Sequence, residues 1–128
     1  MSLPHASLAA GLVGLLVFAL GLNTSLRRMR TGIYQADGGD EGLRRASRAH
    51  GLAVEHGVLL IVLLALLELQ GAPAQALLAL AVSIVVVRLW SALSTLRLLT
   101  VVPGSVSAGL TYTLEFVLSA WLLATLLR

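Results

Sequence analysis

The sequence contains no cysteine, which excludes disulfides, catalysis by a protein thiolate and Cys-based metal sites. It contains no lysine either: its nine basic residues are all arginine, set against six acidic residues, and charged residues make up only 12% of the 128-residue chain. The net charge of +3 is too small and too localised to suggest a nucleic-acid surface. What fills the chain is apolar, with 58% hydrophobic residues and a mean hydropathy of +0.93. A soluble globule is thereby excluded. With about 20 apolar residues needed per crossing, the length accommodates four passes through a lipid bilayer and little else. The fold class that follows is an all-α integral membrane protein, a bundle of four transmembrane helices in a single domain over residues 1–128.

No charge occurs from Met1 to Leu26, and the run from Leu8 to Leu22 is long enough to cross a bilayer with its flanks, so a first helix is expected at about residues 6–26. A secretory signal would need a basic region before this apolar core, whereas the first arginine, Arg27, follows it. Residues 23–47 form the one long polar stretch. It carries Arg27, Arg28, Arg30, Arg44 and Arg45, with Asp37, Asp40 and Glu41 around Gly38 and Gly39. Gly-Gly holds a helix poorly, while Asp40 is a good N-cap, so a second helix is expected at about residues 41–70. At roughly 45 Å it exceeds a hydrocarbon core of roughly 30 Å, which places its first turns among the headgroups. Gly71 and Pro73 then make a tight hairpin into a third helix at about 73–98. Pro103 and Gly104 supply the next turn, Ser105 or Ser107 a cap, and a fourth helix follows at about 105–127.

The arginines cluster in the first loop and, through Arg97, beside the third. The positive-inside bias therefore puts these loops in the cytoplasm and both termini outside, with Arg128 counting slightly against it. Ala10, Gly11 and Gly14 line a small-residue face on which another helix could approach closely.

An ionisable side chain at bilayer depth persists mainly where it meets protein or water, so Glu55, Glu68, Arg88 and Glu115 are the informative residues. Glu68 sits within three residues of the hairpin turn and is expected to reach solvent at the interface. Arg88 and Glu115 lie about 15 Å below the cytoplasmic surface along their helices, and Glu55 about 10 Å. All three fall in one slab. Helical spacing aligns Arg48, Leu52 and Glu55 on one face, Arg88, Ser91 and Thr95 on another, and Tyr112, Glu115 and Ser119 on a third. Equal depth predicts an intramembrane ion pair between Arg88 and Glu115. No metal site is expected, because His50 and His56 do not share a face and no H-E-x-x-H occurs. No Ser-His-Asp arrangement is supported either.

The segment Arg48-Ala49-His50-Gly51-Leu52-Ala53-Val54-Glu55-His56-Gly57-Val58, with Leu67-Glu68-Leu69-Gln70-Gly71 at the end of the same apolar run, resembles the second helix of the MAPEG family. These are membrane-associated proteins of eicosanoid and glutathione metabolism, and the likeness is to their short bacterial members. The family pattern there is Arg, then Gln or His, then Asn, then Glu-Tyr, with Pro soon after. Arg88-Leu89-Trp90-Ser91 is similar to the third helix. The resemblance implies a homotrimer in a membrane of the bacterial inner-membrane type. It also implies glutathione as the cofactor, bound between subunits by Arg48, His50, Glu55 and Arg88, and transferase or peroxidase chemistry on a lipophilic small-molecule substrate. Arginine suits a carboxylate through two parallel hydrogen bonds, and Glu55 suits an ammonium.

Several positions depart from the pattern. Leu52 stands where the family has Asn, His56 where it has Tyr, Val58 where it has Pro, and Ser91 where it has an aromatic residue or His. Family enzymes also place an arginine early in the fourth helix to stabilise the glutathione thiolate, and Leu98 to Leu114 contains no basic residue. A non-catalytic membrane scaffold is therefore the alternative reading. A small multidrug-type transporter of similar length would need an acid in the first helix, and none is there.

Overall fold

The computed structural model describes residues 2–99 and 104–127. These form four helices, α1 (Pro4–Thr31), α2 (Glu41–Leu69), α3 (Ala74–Thr95) and α4 (Gly104–Leu126), each long and apolar enough to cross a membrane. No strand is present among the described residues.

Pro4 opens α1, where its missing N–H costs nothing. The helix runs beyond its apolar core and takes Arg27, Arg28 and Arg30 into its last turns. Arginine is a good helix former, and cations complement the negative end of the helix dipole, so the polar character of these residues does not end the helix. Gly32 ends it, with φ 70°, its N–H returning to the Arg28 carbonyl. Arg28 then reaches forward to donate to the carbonyls of Ile33, at 3.2 Å, and Ala36, at 3.0 Å, which fixes the loop against the helix end.

Asp40 caps α2 as expected, its carboxylate accepting the Leu43 N–H at 2.6 Å. Gly71, with φ 75°, turns the chain into Pro73 and α3. At Thr95, α3 stops short of the expected limit because Arg97 adopts a left-handed conformation, φ 58°, and the Leu98 N–H folds back to the Leu93 carbonyl. The expected turn at Pro103 lies outside the described residues. Ser105 and Ser107 fall inside the first turn of α4 rather than ahead of it, and the Ser107 hydroxyl donates to the Gly104 carbonyl instead of capping N–H groups.

The α2–α3 hairpin is the centre of the bundle. α1 and α4 each pack against both of its helices and do not touch one another. Leu60, Leu64, Leu67, Ile84 and Leu118 are fully buried between them. The face of α1 that meets the hairpin is Ala6, Ala9, Val13 and Leu20. Gly11 and Gly14 lie off this contact, with no atom within 4 Å of an added Cβ. The close approach uses a glycine on the other helix: a Cβ on Gly57 would lie 2.9 Å from Val13 Cγ1, so only glycine lets α1 and α2 come this near. Leu15, Phe18, Val86 and Phe116 point outward, as suits a bundle whose solvent on that side is lipid.

Glu68 is not solvated as its position near the turn suggested. Its side chain is only 6% exposed, and its carboxylate caps the start of α1, accepting from Ala6 N at 2.9 Å and His5 N at 3.1 Å, with His5 Nδ1 at 2.6 Å. The first turn of a helix has N–H groups without intrahelical partners and a positive dipole end, and here it stands level with the end of α2. A carboxylate placed there is better satisfied by protein than by the interface.

Candidate functional site

Beside a polar pocket between the start of α2 and the end of α3, lined by Glu41, Arg44, Arg45, Arg48 and Arg97, the arginine-rich end of the bundle holds two further polar regions. The outer one is an open groove of about 400 Å³ between the loop and the start of α2, lined by Arg28, Asp37, Ser47, Arg48 and Glu55. Arg48 and Glu55 lie two helical turns apart on one face of α2, with Arg48 Nη1 3.8 Å from Glu55 Oε2 and side chains 61% and 59% exposed. Arg28 enters from the last turn of α1, held by the loop carbonyls and within 3.4 Å of Ser47 Oγ. The three guanidinium groups of Arg28, Arg44 and Arg48, with the carboxylates of Asp37 and Glu55, suit a ligand carrying both carboxylates and an ammonium group.

The inner region lies between α2, α3 and α4. Arg88 is 2% exposed; its Nη1 donates to the Leu52 carbonyl at 3.2 Å and its Nη2 to the Thr111 hydroxyl. Thr111 in turn donates to the Ser107 carbonyl at 2.7 Å. The expected Arg88–Glu115 ion pair does not form. The guanidinium lands on α4 at Thr111, one turn nearer the helix start than Glu115, and Glu115 Oε1 lies 2.7 Å from Nδ1 of His56 on α2. Tyr112 packs edge-on against the His56 ring, at a centroid distance of 5.7 Å. Equal depth along two helices was a correct reading of level but could not say which neighbour reaches the carboxylate first.

The four residues that the resemblance assigned to glutathione therefore divide. Arg48 and Glu55 share the groove. His50 faces α1, where a Cβ on Gly21 would come within 3.2 Å of its Nε2, and Arg88 is enclosed in the inner region. Arg28, Asp37 and Arg44 complete the groove and were missed: Arg28 because the sequence signalled a loop where α1 continues, Asp37 and Arg44 because a charged residue of a polar stretch carries no signal of its partner. His56 was missed as a partner for Glu115, since its only signal was a place one residue after Glu55, on the adjoining helix face.

Four membrane-length helices with a polar, arginine-lined end define a multi-pass integral membrane protein of the small four-helix class. The chain belongs to the MAPEG family, which it matches over residues 6–126. No curated protein and no solved structure matches it. Membership places it among membrane proteins related to glutathione metabolism.

Proposed function

We propose that this protein binds glutathione in the groove formed by Arg28, Arg48 and Glu55, at the cytoplasmic side of a membrane of the bacterial inner-membrane type, within a homotrimer whose neighbouring subunit closes the groove. One observation carries the reading: the charged ends of Arg48 and Glu55, on a membrane-length helix, are about three-fifths exposed and only loosely paired at 3.8 Å. Charges at such a level are stable only against water, ligand or protein. A zwitterionic peptide and a second subunit supply both of the latter. Arg28 and Arg48 take the two carboxylates, and Glu55 accepts from the ammonium.

The reaction class that family membership supports is transfer of the glutathione sulfur to a lipophilic electrophile, or reduction of a lipophilic peroxide, here slowed by the lack of a cation for the thiolate. A non-catalytic scaffold is the second reading, favoured by the absence of any basic residue from Leu98 to Leu114. Calorimetric titration of the detergent-purified protein with glutathione tests binding. Saturable binding is expected, weakened about tenfold by Arg48→Ala or by Glu55→Gln, the loss of one charge-assisted contact. Arg30→Ala, exposed at the end of α1 and outside the groove, should bind as the parent does. Absence of binding to the parent protein contradicts the proposal.

A further inference from the structure

Apart from the open groove, a small cavity of about 80 Å³ lies between α2, α3 and α4, lined by His56, Arg88, Ser91, Ser107, Thr111 and Tyr112. That volume corresponds to on the order of three water molecules, so a tripeptide does not fit it. Its chemistry is unbalanced. Arg88 is enclosed in the protein, and although two of its nitrogens donate to Leu52 and Thr111, its Nε has no partner. The carboxylate at this level, Glu115, is taken by His56. α1 brings no compensating charge, since residues 6–26 contain none. Gly104, the first residue of the 23-residue helix α4, lines the same cavity, so the positive end of that helix dipole opens onto it. A buried guanidinium with an unsatisfied N–H and no counter-ion in contact is expensive, and an anion removes the cost.

We infer that this cavity is a binding site for one small monovalent anion of the size of a halide or formate. Arg88 is its anchor, and the hydroxyls of Ser91 and Tyr112, lining the same cavity, are further donors. The His56–Glu115 bridge serves the site by keeping the one nearby carboxylate off the guanidinium. The anion is independent of glutathione, which is too large for the cavity.

The test is the chloride-35 NMR line width in detergent solution without glutathione. The protein should broaden the line saturably. Formate should displace chloride, whereas benzoate, too large for the cavity, should not. Arg88→Met should lower the excess broadening about tenfold, as expected for loss of the charged donor, and Arg48→Ala, which alters two open arginine-lined pockets but not this cavity, should leave it unchanged. If Arg88→Met does not fold, the contrast between formate and benzoate on the parent protein decides. The inference is overturned by an absence of saturable broadening, which means water alone fills the cavity. It is equally overturned by equal displacement by benzoate, by broadening that survives in folded Arg88→Met, or by its loss in Arg48→Ala.

Discussion

Replacing Glu115 with leucine is expected to lower the unfolding free energy of the detergent-solubilised protein by about 3 kcal/mol. The carboxylate joins α4 to α2 through a 2.7 Å contact with His56, and both side chains are about four-fifths buried. Removing it strands the imidazole without its acceptor and takes away the carboxylate that α4 brings to the level of Arg88. Leucine is similar in volume, so the loss is electrostatic rather than a cavity effect. A double-mutant cycle on His56→Phe and Glu115→Leu should give a coupling of about 1–3 kcal/mol. The corresponding cycle on Arg88→Leu and Glu115→Leu should give less, since those side chains do not pair directly. The reverse order of the two couplings would restore the Arg88–Glu115 pair that equal depth alone had suggested.

Conjugation of glutathione to a generic electrophile is expected to stay near the uncatalysed background, and ultraviolet difference spectra at pH 7 should show little thiolate. A thiol with an ordinary pKa near 8.5 is mostly protonated at neutral pH unless a cation or donors favour its ionised form. No basic residue occurs from Leu98 to Leu114, and Arg88, the enclosed arginine nearest the start of α4, donates to Thr111 and the Leu52 carbonyl. Gly104 at the head of α4 offers a way to supply the missing charge. A Cβ there meets Ser94 Cβ at 3.6 Å, an ordinary contact, so the first atom of the Gly104→Arg side chain has room. Each unit by which it lowers the thiol pKa is worth about 1.4 kcal/mol. A fall of about one unit should raise the thiolate fraction at pH 7 several-fold. A strong thiolate band in the parent protein would contradict this account. Loss of that band in Arg88→Leu but not in Arg97→Leu would then identify Arg88 as the thiolate's partner.

The helices were legible because their signals are local. Long apolar runs, the Asp40 cap and the Gly71-to-Pro73 turn each act within a few residues, and the structure uses all of them. The end of α1 was less legible, because Arg27, Arg28 and Arg30 mark where solvent begins and not where the helix stops; Gly32 stops it. The site was only partly readable for a different reason. Spacing placed Arg48 and Glu55 on one face, which needs only the helical period. It could not show that Glu68 caps a helix start 62 residues away in sequence, or that His56 reaches Glu115 ahead of Arg88. Those partnerships depend on how α1 and α4 sit against the hairpin. That arrangement follows from close contacts such as Gly57 against Val13, which no single helix reveals.

The central claim is that three copies of this chain enclose glutathione against the Arg48–Glu55 face of α2. Native mass spectrometry of the protein released from detergent micelles in the presence of glutathione tests it most directly, because subunit number and ligand number are read from one spectrum. The account predicts a trimer carrying up to three glutathione molecules, with Arg48→Ala remaining trimeric but losing the ligand. A monomer, or a trimer that never carries glutathione at concentrations saturating in calorimetry, would contradict it.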